Sequence, residues 1–101
     1  MTQNEVLFHP LADIDLETIY HFIAADSPDR AIAFVRRIRA FSMNLKTMSM
    51  RGRNRDDLAS GVRTLVFEKR VVIAYRTESE CVTVLRLFYA GRNISDAIWP
   101  D

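Results

Sequence analysis

Residues 62–89 read VRTLVFEKRVVIAYRTESECVTVLRLFY. Val, Ile, Leu, Thr and aromatic residues fill three short runs, Val62–Phe67, Arg70–Arg76 and Cys81–Tyr89. Such residues suit a pleated, half-buried surface, so the stretch predicts three strands. The gaps Glu68-Lys69 and Thr77–Glu80 are short and polar. Consecutive antiparallel pairing is the simplest arrangement they allow. Alternation places Val71, Ile73 and Tyr75 on one face of the middle strand. It places Arg70, Val72, Ala74 and Arg76 on the other. On the last strand it groups Arg86 with Val82, Val84 and Phe88. Both faces of the sheet therefore carry apolar surface.

Upstream, Glu5-Val6-Leu7-Phe8 is a short strand candidate that ends before Pro10. From Leu11 to Ala24 the pattern turns helical: Ala12, Leu16, Ile19, Tyr20 and Ile23 recur on one side. Asp13, Asp15 and Glu17 favour the positive N-terminal end of that helix. Asp26-Ser27-Pro28-Asp29 stops one helix and starts another, with Ser27 as N-cap and Pro28 in the first helical position. The second helix is expected from Pro28 to about Met48, with Ala31, Phe34, Val35, Ile38, Phe41, Leu45 and Met48 on one face. The short connection makes the two helices an antiparallel hairpin. Ser49–Gly61, with Arg51, Arg53 and Arg55 among turn formers, reads as a basic loop. The order is β-α-α-β-β-β, an α+β fold with the N-terminal strand and helical hairpin on a small, mostly antiparallel sheet. The hairpin can cover one sheet face. The other is left to water or to a partner.

The chain's 101 residues make one domain. A single cysteine, Cys81, builds neither a disulfide framework nor a zinc site, and His9 and His21 supply no metal cluster. No metal and no small-molecule cofactor is expected. Met1 to His9 carries an acid and no basic signal-peptide region, and no apolar run approaches the roughly 20 residues of a membrane span. The expected setting is a reducing cytoplasm, away from membranes. The formal net charge of +1 hides a segregation. Residues 1–29 hold six acids and no Lys or Arg; residues 30–76 hold twelve Lys and Arg against three acids; residues 77–101 hold two against four. The basic middle segment can present a cationic surface to an acidic partner or to nucleic acid, or merely solvate exposed faces.

Several short motifs follow one another in a telling order. They are Pro10–Tyr20 (PLADIDLETIY), Arg51-Gly52-Arg53, Asp57–Arg63 (DLASGVR), Val71–Arg76 (VVIAYR), Val84–Leu87 (VLRL) and Ala90-Gly91-Arg92. In this order and spacing they resemble the ParE branch of the RelE/ParE toxin superfamily, the toxins of bacterial type II toxin–antitoxin systems. The resemblance spans roughly residues 5–93, taken as a toxin domain over 1–93 followed by a C-terminal tail, 94–101. It implies a toxin that arrests growth, by one of two routes. ParE-type members inhibit DNA gyrase; RelE-type members cleave mRNA on the ribosome. It also implies a cognate antitoxin that forms a hetero-oligomer with the toxin and brings it to DNA only indirectly.

The residues themselves weigh these targets. An endonuclease must activate a ribose hydroxyl and protonate a leaving oxygen, which needs groups able to move protons. Arg63 and Arg86 could supply cations and Tyr89 a proton, but arginine stays charged and shuttles protons poorly. Tyr89 stands where the family often has a histidine. Arg53, Arg63, Arg86, Tyr89, Arg92 and Trp99 are therefore taken as target-binding residues with no catalytic set, and Arg63, Arg86 and Tyr89 as the set if the chain is an endonuclease. Alternatively, Arg63, Arg76 and Arg86 pair with carboxylates, Arg51, Arg53 and Arg55 solvate a loop, and Trp99 anchors the tail. His9 reads as a cap-region or surface residue, His21 as helix surface and Cys81 as a small buried hydrophobe. The sequence thus favours a binding toxin directed at gyrase over a ribosome-dependent mRNA endonuclease.

Overall fold

In the computed structural model, which describes residues 5–100, the first strand β1 (Glu5–Phe8) is followed by helix α1 (Pro10–Ala24) and helix α2 (Pro28–Ser42). The parts of the leader and tail readings that fall on residues 1–4 and 101 lie outside the described residues. The His9 Nδ1 atom caps α1 by accepting from the Leu11 N–H at 3.0 Å. Ser27 Oγ caps α2 by accepting from the Arg30 N–H at 3.3 Å. Pro follows each cap, where its missing N–H costs nothing.

The second helix stops sooner than its apolar periodicity suggests. It ends at Ser42 and tightens into a 3₁₀ turn over Met43–Lys46. Buried Ser42 turns its hydroxyl back onto the Ile38 carbonyl at 2.8 Å, a local bond that competes with regular helix geometry. Leu45 stays in the core through this turn, but Met48 is left exposed. The basic loop also holds a two-residue strand, β2 (Arg53–Asn54). Strands β3 (Val62–Phe67), β4 (Val71–Glu78) and β5 (Cys81–Tyr89) complete the sheet.

The sheet order is β1-β5-β4-β3-β2. β2, β3, β4 and β5 pair antiparallel in succession, and β1 joins β5 in parallel through the registers Glu5↔Cys81 to Phe8↔Val84. This matches the expected α+β order, with β2 as an added edge. The helical hairpin covers one face. Leu16, Ile19, Phe34, Ile38 and Leu45 close over Val71, Ile73, Tyr75, Val82, Val84 and Leu87.

The alternation expected for β5 fails at one place. A bulge lies where Ala74 faces Arg86 and Tyr75 faces Val84, so Leu85 is an extra residue. Val82 and Val84 join the helix-side core with Leu87, whereas Leu85 and Phe88 pack on the opposite side. Arg86 therefore does not share a face with Val82 and Val84. That opposite side is also not bare: Val62, Ala74, Leu85 and Phe88 form a second cluster, packed on by Ala59, Val72, Ile94, Ala97 and Trp99.

Candidate functional site

The bulge decides where Arg86 goes. β1 ends opposite Val84, so the outer edge of β5 beyond it has no strand partner. Asp15 of α1 fills the gap: its Oδ2 accepts from the Leu87 N–H at 2.8 Å. Arg86 grips the same carboxylate through Nε at 2.8 Å and Nη2 at 3.1 Å. The two side chains are only 18% and 14% exposed, and the bidentate geometry holds the guanidinium firmly charged. Asp15 serves β5 directly, a role that its position near the helix start did not suggest. The third arm of Arg86, Nη1, donates to the Ile98 carbonyl at 2.7 Å, and the guanidinium lies 5.4 Å from the Phe88 ring centre.

Arg63 is engaged at the other end of the sheet. Its Nη1 donates to the Gly52 carbonyl at 2.8 Å, while the Gly52 N–H donates to the buried Tyr75 hydroxyl at 2.7 Å. A Cβ on residue 52 would collide with that hydroxyl and the ring that carries it, which explains the glycine between Arg51 and Arg53. Burial raises the Tyr75 phenol above its ordinary range. Arg53 is exposed in β2 opposite Thr64. Arg55 pairs with Asp57 at 2.9 Å, holding that carboxyl below its usual range, and Arg76 lies 3.7 Å from Glu78. Cys81 is half-buried, and His21 is exposed beside Glu17.

Tyr89 and Trp99 belong to opposite sides. Tyr89 packs with the helix-side core, 5.5 Å from Phe22 and 6.3 Å from Phe34, ring centre to ring centre. Trp99 packs 5.7 Å from Phe88 in the second cluster. Arg63 and Tyr89 face Tyr75 and Val71 of β4, four residues apart along the strand. That separation is roughly 13 Å. Arg63, Arg86 and Tyr89 are thus not brought together around one reacting atom.

A different set converges. Phe22, Phe34 and Tyr89 line a groove of about 600 Å³ between the helical hairpin and the end of the sheet. Arg30, Arg37 and Arg70 rim it, with Asp26 as its one lining carboxylate. A smaller hollow of about 190 Å³ continues past Tyr89 and Phe22 to Arg92 and Asn93. Phe22 is 59% exposed despite its size. Arg37 and Arg70 flank the Phe34 ring at 5.4 and 5.8 Å. Arg37 is also held by Glu68, at 2.8 and 3.0 Å, and draws that carboxyl below its usual range. Glu68 and Lys69 both sit at positive φ, 50° and 59°, in the mirror-image turn that joins β3 to β4.

Of the residues expected at the site, Tyr89 lines this groove and Arg92 its smaller extension. Phe22, Phe34, Arg30, Arg37 and Arg70 were not foreseen there. Phe22 carried a signal: it is a large aromatic off the stripe of Ala12, Leu16 and Ile19 that faces the core. Chemically, the groove offers aromatic floor and delocalised cations. That combination binds an apolar side chain flanked by carboxylates. Among the described residues, no helix is long and apolar enough to cross a membrane, and no group of three His, Cys, Asp or Glu could hold a metal ion.

The family model of the ParE toxin of the type II toxin–antitoxin system parDE matches residues 6–94. Among solved structures, the chain is similar to one from the chromosomal ParDE TA system of P. aeruginosa, with 25% identity and a TM-score of 0.74. That match covers 86% of this chain and 96% of the other. No curated protein matches.

Proposed function

The chain belongs to the ParE toxin family of type II toxin–antitoxin systems, and we propose that it arrests growth in the cytoplasm by binding and inhibiting DNA gyrase until a cognate antitoxin neutralises it. The observation that carries a binding mechanism is the dispersal of the one catalytic set the sequence offers. Arg86 is committed at the outer edge of β5 to Asp15 of α1 and to the Ile98 carbonyl of the tail, and Tyr89 is packed near Phe22 and Phe34 on the helix side. Arg63 is spent on the Gly52 carbonyl. A general acid must reach the leaving atom within hydrogen-bond distance, and nothing in this arrangement focuses Tyr89 on the two arginines.

The antitoxin reading rests on the aromatic groove. An antitoxin segment that places an apolar side chain on Phe22 and Tyr89 and carboxylates on Arg30 and Arg70 would bury apolar area and gain charge-assisted hydrogen bonds. Arg53, Arg92 and the exposed loop cations remain for the target. DNA contact in this reading runs through the antitoxin.

Induction in cells lacking the antitoxin, scored by supercoiling with purified gyrase and by cleavage of ribosome-bound mRNA, tests the mechanism. Tyr89→Phe keeps the ring and loses the hydroxyl, so toxicity and gyrase inhibition should persist. A wild-type chain that cleaves mRNA, leaves gyrase untouched and loses cleavage in Tyr89→Phe by roughly the 10²–10⁴-fold typical of a general acid would overturn the reading. Arg70→Glu should weaken antitoxin binding by about tenfold or more. Unchanged affinity would move the antitoxin elsewhere.

A further inference from the structure

Among the described residues, the C-terminal tail is held to the body by side-chain packing and by the Arg86 hydrogen bond. After Tyr89 the chain turns through Ala90, Gly91 and Asn93 at φ 57°, 68° and 64° and crosses to the face opposite the helices. From Ile94 to Pro100 it adopts no helix or strand. Among the described residues, the backbone bond it makes within itself is Ala97 N–H to the Ile94 carbonyl, at a long 3.4 Å. Its side chains rest on the body through Ile94, Ala97 and Trp99, and its backbone is reached by Arg86 at the Ile98 carbonyl. Ile98 itself points away, 76% exposed.

We propose that residues 94–100 form a strap that opens as a unit while the five-stranded body stays folded, with Arg86 as its latch. A segment with few backbone bonds opens at low free energy, whereas strands in a ladder open together. The latch is set by Asp15, which fixes two arms of the guanidinium and leaves the third aimed at Ile98. Asp15 is therefore a positioning residue for the strap although it lies on α1. Opening bares Val62, Ala74, Leu85 and Phe88, an apolar face on the far side of the sheet from the aromatic groove.

Trp99 is the chain's single tryptophan, so its fluorescence reports the strap alone. The full chain is titrated with denaturant while Trp99 emission and far-UV ellipticity are followed together. Trp99 should move to a solvent-like emission before ellipticity falls, with a dye for exposed apolar surface binding in that window. Arg86→Lys keeps the charge but removes the planar fork. It should raise the strap-opening equilibrium about tenfold, as expected for a lost charged hydrogen bond, read as greater acrylamide quenching of Trp99 under conditions where ellipticity is still native. Coincident transitions in the wild-type chain would overturn the proposal, whether or not the variant folds. So would an Arg86→Lys chain whose two transitions shift equally.

Discussion

The two faces of one sheet are covered by different kinds of structure. On one, two helices with satisfied backbones lay Leu16, Ile19, Phe34 and Ile38 on the strands. On the other, seven residues without regular structure, 94–100, rest on Val62, Ala74, Leu85 and Phe88. Apolar burial stabilises both. The helical cover adds its own backbone hydrogen bonds, whereas among the described residues the tail is tied to the strands by apolar packing and by the hydrogen bond from Arg86 to the Ile98 carbonyl. Covering an apolar face is therefore not the same as making its cover cooperative with the core.

The comparison is tested most severely on the helix side. Ile38 is fully buried beneath the hairpin, so Ile38→Ala should cost about 2–5 kcal/mol in chemical denaturation and move all probes together. A loss well under about 1 kcal/mol would mean that the hairpin packs more loosely than its burial implies. Next comes the junction between the faces. Asp15→Asn leaves Arg86 partly buried without its counter-charge, and a loss of about 2 kcal/mol is expected in the same measurement. If the asparagine variant kept full stability through neutral hydrogen bonds, the charge at that junction would be dispensable.

Trp99→Ala sharpens the contrast from the other side. Its midpoint by ellipticity should fall by the equivalent of only about 1 kcal/mol, because the contact lies on the tail's half-buried cover. A change as large as that of Ile38→Ala would erase the difference between the faces. The smallest effect is expected at the surface pair that ties α2 to the β3–β4 turn. Arg37 lowers the Glu68 carboxyl, so this pair contributes stability above the ordinary carboxylate range and loses it as pH falls through the depressed value. Glu68→Gln should therefore lower the melting temperature slightly at neutral pH and flatten the acid limb, with the two profiles converging in acid, where the wild-type carboxyl is protonated and the pair is already lost. Identical acid limbs in the two chains would show that the exposed pair contributes nothing measurable.

Much of this was legible in the chain itself. Pro28 after Ser27, the apolar period of α1 and α2, and the β-rich runs from Val62 to Tyr89 specify their elements through local sterics and hydrogen bonding. The motif order pointed to the toxin family for the same reason, since it records those elements in sequence. Local rules misplaced the end of α2, because the choice between α and 3₁₀ geometry at Ser42 is made by packing around a buried hydroxyl. They also missed β2, whose two residues become a strand by pairing with Arg63 and Thr64.

The site was less visible, because its parts are distant in the chain. Tyr89 and Arg92 could be singled out by residue type, but their neighbours Phe22, Phe34 and Arg70 come from three other places in the fold. Sequence by itself determined the inventory: the helices, the strands, the cationic middle segment and a lone tryptophan near the end. Tertiary structure decided which side each residue serves. One bulge at Leu85 shifts the alternation of β5, sending Phe88 and Arg86 to the tail while Leu87 and Tyr89 stay with the helices. A bulge is a mismatch between two paired strands, so its effect on side-chain direction exists only once β4 and β5 are in register.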